Sequence, residues 1–484
     1  MALPEIDYNY RKGRLNTTSH LFYPMYSFSP LNKTMSRGVI LKILYLVGFV
    51  AFYFFIRWPL YSTNLANEDG NFADLLINQT VGPKYLQGGR VNGVEIYAPA
   101  QHPALSYEIL KLAGRVAKGF VDFSQLSDYR TTLVLRFVFS LFQLSVWLGF
   151  ILVVFLSDRF FTRAAYAALL AAVFVVSVAP LAVLTSIELQ VDTSIGVLFT
   201  GFFGAVLLAR SFDLLKGKPF LALLFVSSLG MGLGKNEWSA IFLFCILLAG
   251  GFRFAFPRLF RRMKLSWRSN EGWLLVLAAG GCLVGNLISY LVDPLNYMMG
   301  WKLLLNISRT ASVVGSAGIR QWLSVTYHRL PEMIGVAALL GLIFVLFVRR
   351  LKTLSTVQIL SFSLSICLFG AFFFSSWGVF VRYFVPSFIS AVASLIILFP
   401  RQITAWQTRA AALAWVIFAA YAWVGFPHLP PYQPFKIEAR SDCVPFLPVS
   451  LAYNRPDLDY VGSSVGQEEA ESFVKGSGKS LCPR

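Results

Sequence analysis

The chain has 484 residues, 56% hydrophobic and 16% aromatic, with 14% charged and a formal net charge of +18, and its mean hydropathy is +0.62. Soluble proteins carry about 25% charged residues, so the composition excludes a water-soluble enzyme and makes the bilayer the solvent. The surplus of Lys and Arg then reads as cytoplasmic loop charge that fixes orientation. No basic run lies on a soluble module that could grip a duplex, so nucleic acid is excluded as a partner.

Residues 1–38 are polar and aromatic, with Arg11, Lys12, Arg14, Lys33 and Arg37. No cleavable signal peptide is visible, and the first apolar stretch reads as a signal anchor. On the rule that a spanning helix needs about 20 mostly apolar residues, spans are predicted near 39–60, 131–156, 163–183, 188–209, 218–234, 237–256, 272–293, 332–348, 356–375, 381–399 and 409–426. The fold class is therefore an all-α polytopic membrane protein with about eleven transmembrane helices.

The loops orient it. With the N-terminus inside, the inner loops carry Arg159 and Arg163, then Arg210, Lys216 and Lys218, then the basic run Arg253–Arg268, then Arg349, Arg350 and Lys352, then Arg401 and Arg409. Every inner loop is basic, as the positive-inside rule requires. Outside lie a first loop over 61–130, a second over 294–331 and a short tail over 427–484. The first loop has two stretches of amphipathic helical patterning, near 70–80 and 103–120. The second of these suits a helix lying in the membrane interface. In the tail, Cys443 and Cys482 can pair if they face an oxidising compartment. Cys245, Cys282 and Cys367 fall in apolar spans as packing residues.

Charges held at membrane depth cost a few kcal/mol and mark function. Glu68-Asp69 opens the first outer loop, where two adjacent carboxylates suit a general base or a metal site, although an Asn-Glu-Asp-Gly run also reads as a turn. His102-Pro103 leads into the interfacial stretch, with the proline at a helix start. Glu188 and Asp192, four residues apart, are expected on one face at the outer end of the fourth span. Lys235, followed by Glu237, and Arg382-Tyr383 put cations on the side where loop charge is disfavoured. Lys302, Arg309, Arg320, His328 and Arg329 add more in the second outer loop. Cations kept there suit an anionic ligand such as a lipid-linked phosphate. No Walker loop, dinucleotide fingerprint or nucleophile elbow appears in a supporting context, so no nucleotide cofactor is expected.

Four of these features, in order, resemble the GT-C superfamily of integral membrane glycosyltransferases, in particular the bacterial relatives of protein O-mannosyltransferases and of the lipid A aminoarabinose transferase. They are the acidic pair Glu68-Asp69, the segment His102-Pro103-Ala104-Leu105, the Gly-rich helix end that closes on Lys235 (GMGLGKNEW), and Arg382-Tyr383 with Pro386. The acidic pair reads Glu-Asp where Asp-Glu is commoner, and Asn236 and Glu237 replace the small residues usual after the lysine.

The resemblance implies a GT-C transmembrane domain over 39–426 with juxtamembrane helices in the first outer loop. It implies a glycosyltransferase that uses a polyprenyl-phosphate-linked sugar donor and a glycan, lipid or protein acceptor, in a bacterial inner membrane with a periplasmic active site. Asp69 or Glu68 would be the catalytic base, and the reaction would invert the anomeric centre. Lys235 and Arg382 would stabilise the phosphate, with Tyr383, His102, Glu188, Asp192, Glu237, His328 and Arg329 as further substrate-binding candidates. Some relatives place a divalent metal ion (Mg or Mn) among these groups, which implies Glu68, Asp69 and His102 as ligands. Two other functions fit the composition. A lipid-linked glycan polymerase or ligase would rest on late-loop groups such as His328 and Arg329. A flippase or transporter would line a route at mid-membrane depth.

Overall fold

The computed structural model describes residues 37–62, 76–77, 85–99, 102–126, 128–255, 270–311, 330–351, 354–373, 384–404, scattered positions in 406–420, 442–447, 457–462 and 467–482. The chain divides at Tyr45/Leu46 inside the first helix. Of the first unit, the described part is the start of that helix.

Helix α1 (Arg37–Tyr61) is apolar almost throughout, but its faces differ. Phe49, Tyr53, Ile56 and Leu60 recur at helical spacing and are buried, whereas Val47, Phe55 and Trp58 are exposed. Large exposed apolar side chains also cover α9 (Asn270–Val292) and α11 (Leu330–Arg349). Apolar groups on the outside of a bundle identify lipid as the medium. Five described helices are long and apolar enough to cross a membrane: Gly38–Tyr61, Tyr129–Leu156, Thr193–Ser211, Gly217–Gly234 and Gly272–Val292.

The other helices follow the expected spans. They are α3 (Asp128–Leu156), α4 (Arg163–Ser177), α6 (Val197–Ser211), α7 (Gly217–Gly234), α8 (Asn236–Ala255), α12 (Thr356–Phe373) and α13 (Val385–Leu398), with α10 (Pro294–Ala311) after the corner at Asp293. Most of the expected span at 409–426 lies outside the described residues. Every residue of α13 is buried, so this helix, apolar all round, is the centre of the bundle.

Two contacts explain how helices approach without a hydrophobic drive between them. On α7 and α9, Ser228 and Gly232 face Gly281 and Gly285, two small-xxx-small pairs. A Cβ on Gly232 would run into the Cys282 carbonyl, and one on Gly285 into that of Leu229. Between α12 and α13, Ser361 and Ser394 hydroxyls lie 2.7 Å apart, Ser365 and Ser394 2.9 Å, and Ser387 Oγ donates to the Ser365 carbonyl at 2.9 Å.

The fourth expected span differs from a plain helix. After α4 the chain breaks at Ala179 and makes a short helix α5 (Pro180–Thr185). It then passes through a turn and enters α6 by a π-turn at Asp192–Gly196, in which the Gly196 amide bonds the Val191 carbonyl at 2.9 Å. Glu188 therefore precedes the helix and does not share a helical face with Asp192. Local polar side chains explain this. Thr193 Oγ1 donates to the Glu188 carbonyl at 2.7 Å, and Ser194 Oγ to that of Gln190 at 2.7 Å, competing with regular helix bonds.

Outside the bundle, α2 (Ala104–Lys118) is the expected interfacial helix. Ala104, Ser106, Tyr107, Leu110 and Ala117 are buried, while Leu112, Val116 and Phe120 form an exposed apolar stripe of the kind that rests on acyl chains. Before it stands a hairpin that the patterning did not predict, β1 (Tyr85–Val91) and β2 (Val94–Pro99). Its turn is Asn92-Gly93, with φ of 52° and 77°, the type I′ geometry that Asn-Gly favours.

The C-terminal segment completes this sheet. Strands β4 (Phe446–Leu447) and β5 (Tyr460–Gly462) extend it in the order β2-β1-β5-β4. Gly89 of β1 pairs with Val461, and a side chain there would meet the Tyr460 carbonyl. A parallel pair, β3 (Cys443–Val444) and β6 (Ser480–Leu481), is closed by the Cys443–Cys482 disulfide. Helix α14 (Gln467–Lys475) adds Ala470 and Val474 to a small core with Val91, Val444 and Val461.

Candidate active site at the broken end of helix 7

The run Gly230-Met-Gly-Leu-Gly234 ends α7, Lys235 is extended (φ −159°, ψ 142°), and α8 starts at Asn236. Lys235 is only 4% exposed. Its Nζ lies 3.9 Å from Glu237 Oε1 and 5.9 Å from the centroid of the Trp238 ring. Glu237 sits in the first turn of α8, where the helix dipole favours a carboxylate.

Four segments meet here. Ser106 of α2 donates from Oγ to the Gly234 carbonyl at 2.7 Å. The Trp238 indole lies against Gly196 of the π-turn and against Gly234, so close that a Cβ on either would collide with it. Asn236 Nδ2 donates to the Tyr297 carbonyl of α10 at 2.9 Å, and the Asp293 carboxylate caps that helix by accepting from the Asn296 amide at 3.2 Å. A buried ammonium near a carboxylate, at a chain break and flanked by a π-turn, has the features of a functional site.

Among the other expected residues, His102 stands just before α2. Its backbone amide donates a hydrogen bond to the Tyr107 hydroxyl at 3.1 Å, and the two rings are 6.0 Å apart. Helix α2 thus carries the His102 segment to the end of α7, since Ser106 is its contact there. Glu188 is half-buried in the turn before the π-turn. Glu68, Asp69, Arg382, Tyr383, His328 and Arg329 lie outside the described residues, as does the side chain of Asp192. Of the implied metal ligands only His102 is described. Among the described residues no group of three or more His, Cys, Asp or Glu could hold a metal ion.

Two buried arginines escaped the sequence reading. Arg57 of α1 is 0% exposed. It donates to Ser186 Oγ at 2.7 Å, and at 3.2 Å each to Gln143 Oε1 and the carbonyls of Tyr53, Ser177 and Ala182, with its guanidinium carbon 3.5 Å from the Tyr53 ring centroid. One planar fork therefore joins α1, α3, α4 and α5. Arg136 of α3 donates to the Leu60 carbonyl at 2.7 Å and caps the end of α1, where a cation also suits the dipole. Both hold the helix end from which the chain continues to Glu68 and Asp69. The available signal was an arginine inside an apolar span, which is rare unless it is satisfied by partners.

The lipid-facing apolar helices, the interfacial α2 and the charged corner at Lys235 define a multi-pass membrane protein. No model of a known protein family matches the chain, and no curated protein matches it by sequence. Solved structures do match. The crystal structure of ArnT, the aminoarabinose transferase of Cupriavidus metallidurans bound to undecaprenyl phosphate, aligns over 90% of this chain and 89% of that one, with a TM-score of 0.53 and 14% identity. An oligosaccharyltransferase of Archaeoglobus fulgidus, tethered to an acceptor peptide, aligns over 89% of this chain and 64% of that one, with a TM-score of 0.44 and 10% identity. At 14% identity the likeness to ArnT is one of fold, and the fold is GT-C.

Proposed function

We propose that this chain is a glycosyltransferase that moves a sugar from a polyprenyl-phosphate donor to an acceptor hydroxyl at the outer membrane face. The observation that carries the reading is Lys235, a buried ammonium at the broken end of α7, in a fold shared with a structure that holds undecaprenyl phosphate. Glu237 Oε1 lies 3.9 Å from the Lys235 ammonium, and a lipid phosphate arriving at the corner would take over as its counter-ion.

In the reaction, Asp69 or Glu68 takes the proton of the acceptor hydroxyl. The acceptor oxygen forms a bond to the anomeric carbon as the bond from that carbon to the phosphate oxygen breaks, with inversion. The electron pair leaves with the polyprenyl phosphate, whose charge Lys235 and Arg382 stabilise where it develops. Acceptors are a glycan, a lipid or a protein hydroxyl. A divalent ion at Glu68, Asp69 and His102 belongs to the same proposal, and no step is drawn through it.

The proposed setting is a bacterial inner membrane with 1–38 cytoplasmic, 39–426 in the membrane and 427–484 periplasmic. Basic residues gather at one end of the bundle in support of this. Arg159 and Arg401 lie 4.9 and 5.3 Å from the Phe160 ring, and Arg350 donates to the Phe399 carbonyl at 3.2 Å. The disulfide of the C-terminal segment suits an oxidising outside.

The test incubates purified protein with radiolabelled polyprenyl-phosphate sugars and candidate acceptors and follows release of polyprenyl phosphate. Asp69→Asn or Glu68→Gln should abolish turnover, and Lys235→Ala should lower it by about a hundredfold or more, the scale of losing a preorganised charge contact. Full turnover in both carboxylate variants would remove the assigned base. Undiminished turnover in Lys235→Ala would remove the phosphate role.

A further inference from the structure

The end of α7 away from Lys235 opens into a cavity of about 410 Å³, about 27 Å along the helix axis at 1.5 Å per residue. Its polar wall carries Arg210, Lys218 and Ser355, and its apolar wall Phe220, Leu221 and Val357. We propose that this cavity binds the phosphate headgroup of an anionic membrane lipid.

One of these cations stands against helix electrostatics. Lys218 stands in the first turn of α7, where the positive end of the dipole disfavours a cation. Among the described residues it makes no hydrogen bond or ion pair. Arg210 places its guanidinium carbon 5.4 Å from the Phe220 ring centroid, and its one described hydrogen bond is from Nη1 to Asp213 Oδ1 at 3.4 Å. Asp213 is shared, since Lys216 Nζ is 3.6 Å from the same oxygen. Arg210 and Lys216 thus share one carboxylate, and the remaining guanidinium donors and the Lys218 ammonium suit phosphate oxygens.

The depth selects the source of that phosphate. The membrane-crossing helices Thr193–Ser211, Gly217–Gly234 and Gly272–Val292 each start or end at the cavity. The site therefore lies at the level of lipid headgroups, with apolar residues placed to receive the start of the acyl chains. Basic pockets between spans at this depth take anionic headgroups, and the volume falls in the range of small-ligand sites, about 300–1,000 Å³.

Purified full-length protein would be delipidated in detergent and titrated with phosphatidylglycerol, phosphatidylcholine and inorganic phosphate, with retained lipid read by native mass spectrometry. Wild type should retain phosphatidylglycerol over phosphatidylcholine, with inorganic phosphate competing at high concentration. Each charge removed should weaken binding by about fivefold. Lys218→Gln should show this alone, because an exposed side chain without partners is dispensable for folding, and Arg210→Gln with Lys218→Gln should lose roughly 25-fold. Lys475→Gln, on the C-terminal segment, should bind as wild type. Equal retention of both lipids, phosphate binding without lipid preference, or full phosphatidylglycerol affinity in folded Lys218→Gln would each overturn the assignment. Sugar transfer is read separately at the other end of α7, so failure of one reading leaves the other standing.

Discussion

The hydroxyl of Ser106 donates to the backbone carbonyl of Gly234 across 2.7 Å, pinning the interfacial helix to the residue before Lys235. The last carbonyls of a helix have no partner within it, so this bond both caps α7 and fixes where the His102 segment stands. Ser106→Ala leaves a buried carbonyl unsatisfied, at a cost of about 1–3 kcal/mol. Faster amide exchange across residues 104–118 is expected, with turnover falling more than the overall melting temperature. Unchanged exchange would show that α2 is held by other contacts.

Arg57 should be a stability residue of the first rank. Truncating it to Met strands the carbonyls of Ser177 and Ala182 and the Gln143 amide, a loss of about 3 kcal/mol or more. Arg57→Lys keeps the charge but cannot fork to groups on four helices, so partial rescue is expected. Melting curves of the detergent-solubilised protein would order wild type above Lys above Met. Trp58→Leu, at a lipid-facing position, serves as an unaffected control.

The α7–α9 contact gives a prediction of opposite signs from one kind of substitution. Ala is favoured over Gly inside a helix by about 1 kcal/mol, and a Cβ at Gly280 meets nothing within 4 Å, so Gly280→Ala should be neutral or stabilising. At Gly232 the same methyl meets the backbone of Cys282, which cannot swing away. Overpacking there costs about 1–3 kcal/mol, and Gly232→Ala should lower the melting temperature. Equal shifts for the two would refute the close approach.

Asp459 links the C-terminal segment to the hairpin. It accepts from Lys479 Nζ at 2.7 Å and from the Gly93 amide at 3.4 Å. Partial burial pushes its pKa up, but the Lys479 bond and the amides of Asn92 and Gly93 outweigh that and hold it below the ordinary 3.8. A carboxyl with a depressed folded pKa contributes stability above its unfolded value and loses it as pH falls through the folded one. Protection of residues 457–462 from exchange, relative to the intrinsic rate at each pH, should therefore be high at neutral pH and fall below about pH 4. Asp459→Asn should flatten that dependence, and an identical pH profile in the variant would dismiss the link.

Three features of the fold differ in how far they are legible in the sequence. The Asn92-Gly93 turn between Val91 and Val94 is a local hairpin signal, set in a chain whose other patterning is helical. The π-turn at Asp192 was hidden because Ser186, Thr193 and Ser194 look like ordinary span residues until their hydroxyls are seen on nearby carbonyls. The arginine at 57 was visible as a charge in an apolar stretch. Its partners were not, because they come from four helices spread over 134 residues, between Tyr53 and Ser186.

What the sequence determined by itself was the solvent. Span-length apolar runs, basic loops and a Gly-rich helix end on Lys235 are local properties, and hydrophobic transfer and loop charge act on each segment separately. What only the tertiary structure decided was convergence. It is the packing of Gly196 and Gly234 against Trp238 and the reach of Ser106 to α7 that bring residues far apart in sequence to one corner, and the pairing of β5 with β1 that joins the C-terminal segment to the hairpin. Such contacts depend on side-chain shape and backbone approach across helices, which no periodicity along a single chain segment encodes.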